Sequence, residues 1–360
     1  MRHDDTCISS IMLKPVGAAC NSDCRYCYYP RSLVEGDYDS LSPALATDFL
    51  KQLLPHFGSQ GVIVWQGGEP TLAGLDFYRE SVRSLQQVLP TELSFNLLLQ
   101  TNGLNLDEEW CGFLKENNFL VGLSLDGRGI SHDRYRRYLG GQKTYQDVLK
   151  SWRLLQQFDV PTNILCVIHK ANVHTPEELL QGFVDLGCQW IQFIPAVNWE
   201  RGHLAAYSPT PAEFGAFLCR TFDLWFTKFQ REISIQFFDA ILNILVHGRS
   251  SLCVLASECP AEVTVEKTGE VYPCDHFAVP AWKLGRLPGQ EPDFSLLRNF
   301  RRRKGILSAQ CHVCQYLQLC HGGCPKHRRK TTGPTILCES YQCFFQHALP
   351  RLQRLAENLT

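Results

Sequence analysis

The sequence predicts an α/β protein: an open, parallel, partial (β/α)6 barrel followed by a smaller cysteine-rich domain. Three observations carry this prediction. Short apolar runs alternate with stretches of helical periodicity about six times between residues 8 and 194. Polar and glycine residues gather where those runs end, the place where barrel enzymes keep their chemistry. The 17 cysteines are unevenly spread: beyond Cys7, three lie at 20–27, four are scattered between 28 and 252, and nine fall between 253 and 343.

The elements follow in order. A strand over 8–16 runs into a loop holding Cys20, Cys24 and Cys27. Segment 42–57 places Leu50, Leu53 and Leu54 at helical spacing behind a Ser42-Pro43 start signal. The apolar run 61–65 ends in Gln66-Gly67-Gly68-Glu69-Pro70, a strand and its turn. Helical periodicity covers 75–88, and a strand at 93–99 ends at Gln100-Thr101-Asn102-Gly103. A helix at 107–117 then precedes a strand at 120–125, helix 144–158 a strand at 162–168, and helix 176–186 a strand at 190–194. Six units are too few to close an eight-fold barrel and leave a side opening for a large substrate. The pattern is helical over 209–246, reads as a hairpin over 262–272, and ends in a helix at 344–359. The expected division is residues 1–235 for the barrel and 236–360 for the cysteine-rich domain.

At 44% hydrophobic, 20% charged and a formal net charge of −1, the chain offers no electrostatic case for nucleic acid or an anionic membrane. No apolar stretch reaches membrane-spanning length, and residues 1–5 lack the signal-peptide pattern. Cysteine richness then points to metal binding in a cytoplasmic protein rather than to disulfides. The run Arg301-Arg302-Arg303-Lys304 reads as a solvated helix face.

C-x3-C-x2-C spacing suits a loop wrapped around a cubic [4Fe–4S] cluster, three thiolates holding three irons and leaving the fourth open to a small molecule. In Gln66-Gly67-Gly68-Glu69-Pro70 the glycines let backbone groups approach a ligand, with Glu69 beside an ammonium group. For the second group of cysteines two zinc sites are an alternative, because zinc held by four cysteines is common. Cys7, Cys111, Cys166, Cys188 and Cys219 read as small hydrophobes, and Cys343 as an unliganded core thiol.

A C-x3-C-x2-C loop followed one strand later by G-G-E-P resembles the radical S-adenosylmethionine (SAM) enzymes. The string Cys311-x2-Cys314-x5-Cys320-x3-Cys324 resembles the SPASM domain of radical SAM maturases. Residues 66–74, 99–103, 163–167 and 272–275 narrow the resemblance to anaerobic sulfatase-maturating enzymes, over nearly the whole chain.

That resemblance implies a TIM-like radical SAM partial barrel with a SPASM domain binding two auxiliary clusters, hence three [4Fe–4S] clusters and SAM. It assigns Cys20, Cys24 and Cys27 to the SAM-binding cluster. Cys253, Cys259, Cys274 and Cys324 go to one auxiliary cluster, and Cys311, Cys314, Cys320 and Cys338 to the other. Tyr26 and Val197 contact adenine, Gly68 and Glu69 the SAM amino group, and Ser124 and Arg136 the ribose and carboxylate. Asp275 is the expected base, its pKa raised by the neighbouring cluster, and Gln66 binds the substrate backbone. An external flavodoxin- or ferredoxin-like donor supplies one electron. The 5′-deoxyadenosyl radical then oxidises a cysteine or serine of an unfolded sulfatase to Cα-formylglycine (3-oxoalanine). Two alternatives stand beside this. One is a SPASM maturase crosslinking a ribosomal peptide, against which counts the expectation of no winged-helix-sized extension before Cys20. The other is a zinc-stapled binding protein.

Overall fold

The computed structural model describes residues 7–29 and 40–359; the N-terminal residues 1–5 lie outside them. In chain order the barrel elements are β1 (Ile8–Leu13), α1 (Pro43–Leu53), β2 (Phe57–Trp65), α2 (Leu75–Val88), β3 (Ser94–Thr101), α3 (Glu108–Glu116) and β4 (Leu120–Ser124). They continue with α4 (Gly129–Tyr135), α5 (Tyr145–Gln157), β5 (Thr162–Ile168), α6 (Pro176–Asp185) and β6 (Trp190–Pro195). Helices α7 (Pro211–Leu224) and α8 (Gln236–His247) follow. The six expected strands are present, and α4 is a short helix that the apolar periodicity did not reveal.

The chain forms two compact units. The first takes residues up to Ser124, 136–162 and 260–301. Here β1 to β4 lie parallel and in order. Their register sets Leu13 opposite Trp65, Trp65 opposite Leu99, and Leu99 opposite Val121. All four side chains are buried, so one row of core residues holds the ends of β1 and β2 level. The next residues along β1 and β2, Lys14 and Gln66, are thereby brought side by side. Ser42 caps α1 by accepting from the Leu45 amide, with Pro43 in the first turn, as the start signal required.

The hairpin read at 262–272 is present and lies in the first unit. Its strand Glu262–Val265 pairs in parallel with β1, Val263 opposite Ile11 and Val265 opposite Leu13. Strand Glu270–Tyr272 then returns antiparallel. Val263, Val265 and Val271 are buried, and that apolar face is what seals the hairpin onto the barrel sheet.

The second unit takes residues 125–135, 163–259 and 302–360. In it β5 and β6 are parallel, with Cys166 opposite Phe193, and a short strand Ser234–Ile235 pairs in parallel with β6. The C-terminal helix runs Cys338–Glu357 and begins before the expected residue 344. It packs on α7 through Phe222 and Phe344, centroids 5.9 Å apart, and on α8 through stacked Phe238 and Phe344, 5.5 Å apart. Among the described residues no helix is long and apolar enough to cross a membrane.

Candidate functional site

The cysteine loop leaves β1 and lies against the turn after β2. The Gly68 amide donates to Gly17 O and the Glu69 amide to Ala19 O, each at 2.8 Å. A Cβ on Gly68 would stand 1.9 Å from Ala19 O. The glycine is needed because the two loops touch; the close approach is to the chain's own backbone, where the sequence pointed to a ligand. Glu69 is buried and its carboxylate is held within the protein. Oε1 accepts from the Thr71 amide and hydroxyl and the Thr101 hydroxyl, and Oε2 from the Asn102 amide at 2.7 Å. A ligand ammonium at this loop would therefore meet a carboxylate that four donors already engage.

Donors converge on the loop's sulfurs. The Ser22 amide points at Cys20 Sγ (3.4 Å), Asn102 Nδ2 at Cys20 Sγ (3.9 Å) and Arg136 Nη1 at Cys24 Sγ (3.7 Å). Burial, with Glu69 adding to it, pushes the Cys20 thiol up to about 12. A thiolate there needs a bound cation's charge, so the donor set fits an iron–sulfur cluster. The Arg136 guanidinium also lies over the Tyr26 ring, 5.3 Å from its centroid, which joins two residues expected to hold SAM. Ser124 ends β4 half-buried in the same unit. Val197 is buried just past β6 in the second unit.

Asp275 sits in a network that the sequence did not disclose. The Tyr28 hydroxyl donates to its Oδ2, and Lys14 Nζ lies 3.8 Å from the same oxygen. Lys14 also donates to Gln66 Oε1, and Gln66 Nε2 donates to the Tyr28 hydroxyl at 2.9 Å. The His276 ring lies 4.2 Å from that of Tyr28. Lys14 is wholly buried, and burial lowers its pKa against the opposing pull of Asp275 and Glu266. A buried ammonium persists only where such partners face it. Lys14 and Tyr28 are the residues missed. Their signals were a lysine closing an apolar strand and a tyrosine directly after Cys27.

In the second unit Cys311, Cys314, Cys320 and Cys338 line one cavity. Ser308 Oγ donates to Cys311 Sγ (3.3 Å), Gln310 Nε2 to Cys338 Sγ (3.7 Å) and Gln342 Nε2 to Cys314 Sγ (3.8 Å). Burial pushes the Cys320 thiol up to about 11. Among the described residues no three His, Cys, Asp or Glu side chains converge on a single-ion position. The four thiols line a common cavity, a donor set that fits a cluster.

Of the remaining expected ligands, Cys253, Cys259 and Cys324 lie in the second unit and Cys274 in the first. Lys304 corrects the reading of its charge run: it is wholly buried, donates to Cys253 O at 2.5 Å, and faces the thiols of Cys259, Cys253 and Cys324. A cation among sulfurs is stabilised in a way that a lysine on an apolar face is not. The spare cysteines divide as well. Cys111, Cys166 and Cys188 are buried, whereas Cys7 and Cys343 are exposed and Cys219 half-buried, so those three are not core hydrophobes.

The profile of the radical SAM superfamily matches residues 15–182. A cysteine-type anaerobic sulfatase-maturating enzyme of Clostridium novyi is 31% identical, spanning 97% of this chain and 98% of the relative. A serine-type enzyme of that description from Bacteroides thetaiotaomicron is 32% identical, spanning 97% and 91%. The solved structure of native anSMEcpe with bound AdoMet and Cp18Cys peptide superposes with a TM-score of 0.91 at 30% identity, covering 98% of this chain and 99% of that one.

Proposed function

The chain belongs to the anaerobic sulfatase-maturating enzymes of the radical SAM superfamily, and from that membership we propose that it oxidises a cysteine or serine of an unfolded sulfatase to Cα-formylglycine. The cofactors are SAM and three [4Fe–4S] clusters. Residues 1–235 carry the SAM site and 236–360 the two auxiliary clusters. Cys20, Cys24 and Cys27 hold the first cluster, Cys253, Cys259, Cys274 and Cys324 the second, and Cys311, Cys314, Cys320 and Cys338 the third. Cys20, Cys24 and Cys27 would hold the cluster at which SAM binds, and together these groups would supply radical chemistry at the substrate Cβ.

The protein's own part is to orient and to move one proton. Arg136, with Tyr26 beneath it, offers a flat cation to the SAM carboxylate, helped by Ser124; Gly68 and Glu69 border the amino group and Val197 the adenine. Asp275 Oδ2 takes the thiol or hydroxyl proton as the Cβ radical forms. The Tyr28 hydrogen bond aims that oxygen, and Lys14 stabilises its charged form. Gln66 locks Lys14 and Tyr28 together and offers its amide to the substrate backbone. Four-thiol sets with no open iron suit electron transfer, and N–H and O–H donors on their sulfurs tune the potential. A flavodoxin- or ferredoxin-like carrier outside the chain supplies the electron.

The observation that carries this reading is the Tyr28–Asp275 hydrogen bond, which ties the base to the residue following Cys27. The test is anaerobic incubation with SAM, a reductant and sulfatase-motif peptides bearing cysteine or serine, read by mass spectrometry. Aldehyde product supports the reading. SAM cleavage without aldehyde from either peptide overturns it in favour of another peptide modification.

A further inference from the structure

Helix α7 and the C-terminal helix Cys338–Glu357 pack together in one unit, and small residues meet between them. A Cβ on Gly215 would lie 3.1 Å from Ser340 Cα and 3.4 Å from Cys343 Cβ. The Ser340 hydroxyl donates to Pro211 O at 2.6 Å. One turn beyond Gly215, Cys219 Sγ lies 3.7 Å from Cys343 Sγ. One turn further, Asp223 Oδ1 receives His347 Nε2 and Arg351 Nη2, each at 2.8 Å. The seam is thus pinned on both sides of the two sulfurs. Neither thiol belongs to the cluster sets, and Cys343 is exposed.

We infer that Cys219 and Cys343 form a reversible dithiol–disulfide site that reacts with low-molecular-weight disulfides of the glutathione class. The sulfurs need close only from 3.7 Å to a bond of about 2 Å. The exposed Cys343 sulfur attacks one sulfur of the small disulfide; that S–S bond breaks, a small thiolate leaves and a mixed disulfide forms. Cys219 then loses its proton, attacks the Cys343 sulfur and expels the second small thiol. Two protein thiols are oxidised by two electrons, and the small disulfide is reduced to two thiols. Burial and Cys343 together push the Cys219 thiol up to about 12, which suits the resolving step better than the first attack. The bond staples α7 to the helix that begins at Cys338 and carries Gln342, so it fastens one wall of the four-thiol cavity.

The test uses the cluster-loaded holoenzyme, kept free of oxygen and treated with oxidised glutathione. Thiols are then blocked and peptides read by mass spectrometry, with exposed Cys7 reporting that the reagent is active. The expected result is a Cys219–Cys343 linked peptide that dithiothreitol releases. Cys219→Ser should leave glutathione parked on Cys343, and Cys343→Ser should show neither link nor adduct at Cys219. Glutathione on Cys7 with no 219–343 link overturns the proposal. A mixed disulfide that persists on Cys343 in the unsubstituted protein, or no reaction at either thiol, does the same.

Discussion

The Tyr28 hydroxyl donates to Oδ2 of Asp275, joining positions 247 apart in the chain. Tyr28 follows Cys27 and Asp275 follows Cys274, so the bond ties the neighbours of two expected cluster ligands. A carboxylate held there can take a proton from a residue presented to the cysteine loop.

Replacing Asp275 with Asn keeps the side-chain volume and removes the proposed base. Aldehyde formation should fall by about 10²–10⁴-fold, the usual contribution of a positioned base, while 5′-deoxyadenosine release continues. Serine peptide should suffer at least as much as cysteine, because a hydroxyl yields its proton less readily. Anaerobic turnover with the two products counted separately is the measurement; wild-type aldehyde rates would reduce Asp275 to a turn residue.

Lys14→Met removes the cation 3.8 Å from Asp275 and leaves Gln66 Oε1 without its donor. Aldehyde formation should slow by at least about tenfold, equivalent to about 1.4 kcal/mol in the barrier. Lys14→Arg should recover part of the rate only if the longer guanidinium fits the buried site. Equal activity of Lys14→Met and wild type would make Lys14 a core residue alone.

Gly68→Ala drives a methyl into a backbone oxygen that cannot retreat without moving the cysteine loop. The expected cost is about 1–3 kcal/mol, the range for overpacking. Iron should be lost from the Cys20/Cys24/Cys27 site while the auxiliary sets keep theirs. Iron analysis with electron paramagnetic resonance of the remaining clusters decides it, since full loading would mean the loop tolerates the methyl.

Lys304→Gln takes a buried cation from beside Cys259, Cys253 and Cys324. Reduction of a cluster adds negative charge, which a nearby cation stabilises, so the variant should show a lower reduction potential for that auxiliary cluster. A spectroscopic redox titration reads it. An unchanged or raised potential would place Lys304 in a structural role toward Cys253 O only.

Glu213 closes the capping box of α7 with Thr210 and receives Lys170. Burial raises its pKa, but the hydrogen bonds from Lys170 and Thr210 outweigh that and hold it at about 2, below the ordinary 4.5. A depressed carboxyl contributes stability above pH 4.5 that is lost as pH falls toward 2. Glu213→Gln should therefore destabilise the protein at pH 7 by about 1–2 kcal/mol, discounted for the carboxylate's partial exposure. The gap should narrow below pH 4.5, checked by urea midpoints of both proteins across the range. A gap independent of pH would remove the charge from the explanation.

Periodicity and spacing were enough to place most of this molecule. Core positions recur at fixed intervals, so α2 and β5 are bounded in the sequence as they are in the structure, and β1 to β6 follow from apolar runs. Cysteine spacing singled out the loop of Cys20, Cys24 and Cys27 because thiols so near in sequence stay near in any fold. What needed tertiary structure were the relations between distant segments. That residues 262–265 join β1 is a matter of which edge was open, and no local pattern encodes it. Lys14, Tyr28, Gln66 and Asp275 meet only after the sheet register has levelled the ends of β1 and β2 and the hairpin has docked. Lys304 looked like surface charge because a run of cations carries no mark of the one that will face sulfur. Local sequence specifies conformation through short-range sterics and burial, but the field around a buried charge is the sum over groups brought from elsewhere, and only the folded chain brings them together.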